Sequence, residues 1–280
     1  MSEIVKRDRG FVAPHNGDDS APIVAGGGNT IAQMNVLGMV QSAAMLPARN
    51  IESIEAAVKK EAAHLGELAG YSWKVGGKEG GVVSGGTIKL ANMLARVWGK
   101  CTVVPELVSE DSRQWVLKAT FFDYETMAAL PRLFIQRKRQ ETGMRDGERA
   151  ADLVFQIGQS KAIRNATLNA MPAWLVQMAL EEARKGAKKR VVEANNIPAQ
   201  IAKAVAVLAA KGISKERIEA VYQKSVDEFD ADDLVDLRAK YNAMQSGEES
   251  ADTLFPRDSA EPPDDETKGK AADSLFGKKQ

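Results

Sequence analysis

Cysteine occurs once in these 280 residues, at Cys101, and histidine twice, at His15 and His64. A single cysteine excludes a disulfide framework within the chain, and a reducing cytoplasm is the expected compartment. So few soft ligands exclude a zinc site of the usual kind. A Ser-His-Asp or Cys-His nucleophile would have to use His64. That residue sits amid Ala62, Ala63 and Leu65 and reads as a helix-surface histidine. No apolar run approaches the ~18–20 residues that a membrane helix needs. The opening Met1-Ser2-Glu3-Ile4-Val5-Lys6-Arg7-Asp8-Arg9 has no apolar core, so no secretory signal is expected. There are no internal repeats.

Net charge is also missing: 38 basic residues balance 38 acidic ones. The balance hides an asymmetry. Residues 132–190 hold 13 Lys and Arg against 6 Asp and Glu, whereas residues 226–266 hold 3 against 14. A basic core facing an anionic partner, with an acidic end serving another purpose, is one reading; two solvated surfaces of opposite sign is the other.

What is present is an alternation of helix and strand signals that predicts an α+β fold. Residues 1–29 are polar, end in Gly26-Gly27-Gly28, and read as a flexible arm. Thr30 caps an apolar helix over 31–45 that Pro47 ends, and Asn50 caps a second. Tyr71-Ser72-Trp73-Lys74-Val75 alternates as a half-buried strand does. A glycine-rich tip and Val82-Val83 follow, which makes a hairpin. Ser84-Gly85-Gly86-Thr87 leads into a helix over 88–98 stopped by Gly99. Strands at 101–108, 113–122 and 132–138 form an antiparallel meander. A long helical stretch begins at Glu148 and breaks at Pro172. The core is thus assigned to 30–190.

Residues 186–196 read as a charged linker. A separate helical module at 197–255 follows, with helices near 199–211, 214–223 and 230–244; Asp230 and Asp233 make a capping-box start. From Ser246 on, and throughout 256–280, the composition predicts disorder. Within that tail Asp273-Ser274-Leu275-Phe276 resembles a short docking motif.

Signals for catalysis are weak. Gly76-Gly77-Lys78-Glu79-Gly80-Gly81 fits neither GxxxxGK[ST] nor GxGxxG. Ser84-Gly85-Gly86-Thr87 precedes a helix, so its amides are able to hold a phosphate, but a hairpin and a helix start explain it as well. Asp123 and Glu125 lie two apart in a turn, without the further acids that two-metal chemistry needs. No cofactor is expected, and the chain reads as a non-enzyme.

The positive signal is basic. Arg137-Lys138-Arg139 ends a strand, and Lys161 and Arg164 point about 60° apart on the next helix. That helix also carries Gln156, Gln159, Ser160, Asn165, Thr167 and Asn169, which suit sugar and phosphate contacts. Apolar residues occur all round it, so its cations need either phosphates or carboxylates as partners; Asp152 and Glu148 are candidates. Gly158 is read as a point of close approach for another backbone or a nucleic-acid strand.

Gln159-Ser160-Lys161-Ala162-Ile163-Arg164-Asn165-Ala166, followed by Asn169-Ala170-Met171-Pro172, resembles a helix of phage single-strand annealing proteins of the RecT, Erf and Redβ kind. Tyr71-Ser72-Trp73, Gly76-Gly77-Lys78, Ser84-Gly85-Gly86, Leu90-Ala91, Trp98-Gly99 and Phe122-Asp123-Tyr124-Glu125-Thr126 add to the likeness, which covers roughly 71–190. The resemblance implies a hairpin–helix–meander–long-helix core that assembles into rings or filaments in a bacterial host cytoplasm. It implies that single-stranded DNA lies in a basic groove and anneals to its complement with no nucleotide hydrolysed. Lys161 and Arg164, with Asn165, are the DNA contacts it implies, and Arg137, Lys138, Arg139 and Lys89 extend them. The basic helix lacks aromatic residues for stacking on bases, so contact with the backbone is the expected source of affinity. The tail is read as competing with DNA for the groove or docking a host replication or exonuclease protein. An oligomeric phage structural or assembly protein is the competing expectation.

Overall fold

A computed structural model of the chain describes residues 30–74, 82–139, 147–247 and 249–257. The arm, the glycine-rich hairpin tip and the tail from residue 258 on, with its segment Asp273–Phe276, lie outside the described residues. The fold is α+β. Helix α1 (Thr30–Met45) is followed by α2 (Ile51–Leu65), where Asn50 Oδ1 accepts the Ser53 amide at 2.9 Å. Ile54, Val58 and Ala62, each four residues apart, give α2 a buried stripe. One 3-10 turn at Gly66–Leu68 leads to β1 (Gly70–Lys74), which pairs antiparallel with β2 (Val82–Gly86). Thr87 caps α3 (Ile88–Trp98) and Gly99, at φ +66°, ends it.

The meander is β3 (Cys101–Glu110), β4 (Gln114–Asp123) and β5 (Ala128–Arg137), in that spatial order. The last strand begins at Ala128, four residues before the position that its composition suggests. Asp111 and Asp123 each accept two backbone amides just beyond them, which closes the two turns. Helix α4 (Gly147–Ala170) covers one face of this sheet, with Trp115, Leu117, Ala119, Val154, Ala162 and Ala166 between. The register places Val104, Thr120 and Pro131 in one row across the opposite face, and Glu106, Lys118 and Leu133 in the next. Pro105 and Pro131 sit in the two edge strands, where a missing N–H costs no internal ladder bond.

Helix α5 (Ala173–Glu193) starts after Pro172 and runs through most of the expected linker at 186–196. Its charges other than Arg190, which donates to the Ala63 carbonyl of α2 at 2.7 Å, occupy one side, while Leu175, Ala179, Ala183, Ala187 and Val191 repeat every four residues and are buried. The charge run is therefore the wet side of a helix. Leu175 to Ala183 pack with α2, α3 and Phe121, and Ala187 and Val191 pack with the C-terminal helices. Those are α6 (Ile197–Ala209), α7 (Lys215–Tyr222), α8 (Ala231–Gln245) and α9 (Ala251–Leu254). Asp230 and Asp233 form the expected capping box at α8. Disorder from Ser246 on was expected, but α9 folds back there. Leu254 and Phe255 are fully buried, and the buried Arg217 guanidinium donates to the Phe255 carbonyl and to Asp252 Oδ1. Among the described residues no helix is long and apolar enough to cross a membrane.

Candidate nucleic-acid interface

The flank of α4 holds the best-assembled cations. Arg164 donates through Nε and Nη2 to Asn165 Oδ1, at 3.2 and 3.1 Å, and its guanidinium carbon lies 5.6 Å from the Tyr71 ring centroid. One turn further on, Asn169 Oδ1 accepts from Nη2 of Arg132 on β5. Two asparagines at i, i+4 spacing thus steady two guanidiniums on one side of the helix. Lys161 stands half-buried one turn before Asn165. Neither Lys161 nor Arg164 is a free cation, as partial burial of a charge requires. Arg132 and Tyr71 carried no site signal in the sequence. Their partners are 37 and 93 residues away, so only the fold brings them in.

The other expected contacts stand apart. Arg137 and Arg139 are exposed at the end of β5. Lys138 between them is bonded to Glu110, and its ammonium lies 5.0 Å from the Trp115 ring, so its charge is largely answered within the chain. Five residues of strand, about 17 Å, separate Arg137 from Arg132. Lys89 is exposed on the first turn of α3.

The reading of Gly158 is corrected, and the hairpin and helix-start reading of Gly85 and Gly86 holds. A Cβ on Gly158 would come within 2.7 Å of the Gln136 side chain, so this glycine lets the sheet close on α4 and admits no foreign strand. Gly85 and Gly86 belong to β2, where a Cβ would meet Tyr71 Oη at 2.8 Å and Leu90 Cδ2 at 2.6 Å. Thr87 Oγ1 accepts the Leu90 amide at 3.3 Å and donates to Leu68 O at 2.6 Å. The first turn of α3 is capped from within.

The opposed charges of the two stretches also meet in part. On α5, Arg184 and Lys188 both reach Asp232 of the acidic stretch, at 3.4 and 2.5 Å. Lys185 pairs with Glu182, Lys189 with Glu193 and Arg190 with Glu67. These are exposed pairs worth little stability. They do pair all five α5 cations with carboxylates of the same chain. Asp123 and Glu125 are engaged by Arg49 and Lys100, a structural role. His64 is exposed near the end of α2. Among the described residues no group of three or more His, Cys, Asp or Glu is placed to hold a metal ion.

No family model, no curated protein and no solved structure matches this chain.

Proposed function

We propose that this chain binds single-stranded nucleic acid along the flank of α4 and, as an oligomer, brings complementary DNA strands together without hydrolysing a nucleotide. The observation that carries the reading is the row Arg132–Asn169, Asn165–Arg164 and Tyr71, with Lys161 beside it. Guanidiniums held in place lose less entropy on meeting phosphates. A tyrosine within reach adds the aromatic surface that the helix itself lacks. Base pairing drives annealing downhill, so the protein needs only to screen repulsion and present the strands. Phosphate contacts that release counterions supply that without sequence preference.

Anisotropy of a labelled oligonucleotide tests the reading. Affinity should fall steeply, by at least ~10-fold, between ~50 and ~200 mM salt. Lys161→Ala/Arg164→Ala and Arg132→Ala should each weaken binding and flatten the salt slope, and the double variant should anneal complementary strands more slowly. Salt-insensitive or absent binding would sink the proposal. Normal annealing by the double variant would move the site elsewhere. The second reading, a structural or assembly protein, is favoured by the internal pairing of the α5 cations and by the open apolar face of the meander.

A further inference from the structure

Large apolar side chains are concentrated on the meander face that α4 leaves bare. Leu133 is 67% exposed, Ile135 56%, Val108 47% and Val104 36%, with Pro131 among them. Soluble chains rarely leave such a face bare without a partner for it. Lateral growth of the sheet is opposed, because Pro105 and Pro131 interrupt both edges. The face itself is what needs covering.

The same chain carries a second unpartnered apolar surface. Helix α1 has no charged residue along its length. Met39, Met45 and Leu46 are 47%, 86% and 57% exposed. The helix meets the core at its C-terminal end, through Met39 Sδ on Tyr124 Oη at 3.1 Å and Leu46 O on Lys100 Nζ at 3.2 Å. A space of 570 Å³ separates them there, bounded by Gly38, Ser42, Ala43 and Cys101 among others.

We infer that α1 of one copy lies on the bare meander face of a second copy. The dimensions agree. Sixteen residues make a helix about 24 Å long, and three ten-residue strands present a face of about 34 by 14 Å. The other face of this sheet already takes one helix, α4. The charges agree too. Lys118 and Glu106, paired at 2.6 Å on the bare face, neutralise each other, which suits an uncharged occupant. A chain's own α1 is held at the end of the sheet by Tyr124 and Lys100, three residues before Arg49, which is fixed to Asp123. A neighbour's α1 has no such tether.

Such a contact is heterologous: each copy gives a helix and receives one, so copies add head to tail into rings or filaments. One helix footprint, about 240 Å², is small beside the ~800 Å² per partner of a stable complex. A contact of that size lies at the weak, exchanging end of protein association. The inference deepens the self-association in the proposed function and does not depend on nucleic acid.

Complementation in sedimentation experiments tests it. The wild-type full chain should gain mass between about 1 and 100 μM. Leu133→Glu/Ile135→Glu, which spoils the face, and Val40→Glu/Met45→Glu, which spoils the helix, should each be monomeric, with thermal melts close to wild type. Mixed in equal amounts, one intact helix meets one intact face, and assembly should stop at two copies. A monomeric wild type, assembly that ignores either variant, or a mixture that stays monomeric overturns the inference. Crosslinking with Met45→Cys/Leu133→Cys should give an interchain ladder; a crosslink within one chain overturns it as well. Oligonucleotide binding by the same monomeric variants reads the nucleic-acid proposal separately.

Discussion

Arg49 and Asp123 lie 74 residues apart and meet fork to fork, with guanidinium Nη1 and Nη2 on the two carboxylate oxygens at 2.7 and 2.8 Å. Both side chains are 8% exposed. The guanidinium also donates to the Trp98 and Gly99 carbonyls and lies 4.6 Å from the Trp98 ring centroid, while the Trp98 indole donates to Asp123 Oδ2 at 3.1 Å. One arginine thus fastens the segment before α2 to the end of α3 and the end of β4. Arg49→Ala leaves a buried carboxylate without its partner, an error that costs about 3–5 kcal/mol. A melting point lower by roughly 10 °C is expected. Arg49→Lys should recover only part of it, because an ammonium cannot make the fork. A melt within a degree or two of wild type for Arg49→Ala would show the pair to be idle.

Acid should find the same pair. Burial, the largest single influence on Asp123, opposes its ionisation. The hydrogen bonds from Arg49, the Trp98 indole and the Thr126 and Glu125 amides outweigh it and hold the carboxyl at about 2. The folded value lies below the ordinary 3.8, so the unfolded chain takes the proton first. The group's contribution is complete above pH 4 and is lost as pH falls towards 2. The loss is on the order of 2 kcal/mol. Denaturant midpoints measured from pH 5 to 2 should therefore show the gap between wild type and Asp123→Asn narrowing through that window. A constant gap would refute the assignment.

Gly186 lies inside α5, where helix propensity alone favours alanine by about 1 kcal/mol. The opposite outcome is expected here. A Cβ at this position would stand 2.1 Å from the Ala63 carbonyl oxygen and 2.7 Å from its Cα, so α2 and α5 cross at backbone contact. Backbone atoms cannot step aside, and overpacking of this kind costs about 1–3 kcal/mol. Urea midpoints should place Gly186→Ala below wild type; a higher midpoint would mean that the helices are free to part.

Cys101 should be quiet. Burial pushes its thiol up to about 11 against the pull of Arg49, and Sγ is 3.3 Å from the Ala95 carbonyl oxygen. At pH 8 the thiolate is scarce and shielded. Reaction with a disulfide reagent should be at least ~10-fold slower in the native chain than in denaturant. Equal rates would place the thiol in solvent.

Much of the chain's punctuation was legible because it is local. Asn50, Thr87, Ser214 and Asp230 cap helices within three residues of themselves, and Gly99 and Pro172 act on the adjacent turn. The linker reading of 186–196 failed for a related reason. Counting charges notices Lys185, Lys188, Lys189 and Arg190 and overlooks that Ala183, Ala187 and Val191 keep a buried stripe beneath them. The disorder reading failed over 249–257 because a polar run gives no sign of Arg217, which waits 38 residues earlier for the Phe255 carbonyl. In the candidate site, Lys161, Arg164 and Asn165 were visible from helical spacing, but Arg132 and Tyr71 were not.

The order of most helices and strands, the caps at Asn50 and Asp230 and the apolar stripes of α2 and α5 are fixed by neighbours a few residues away along the chain, and the residues alone determine them. Which cations stand together, which carboxylates cancel them, and which glycines exist to let backbones touch depend on contacts across tens of residues. Arg49 with Asp123, Arg132 with Asn169 and Gly186 against Ala63 follow from how the finished elements pack. Coulomb and contact forces act over a few ångströms of space, whatever the separation in sequence, and so only the folded chain decides them.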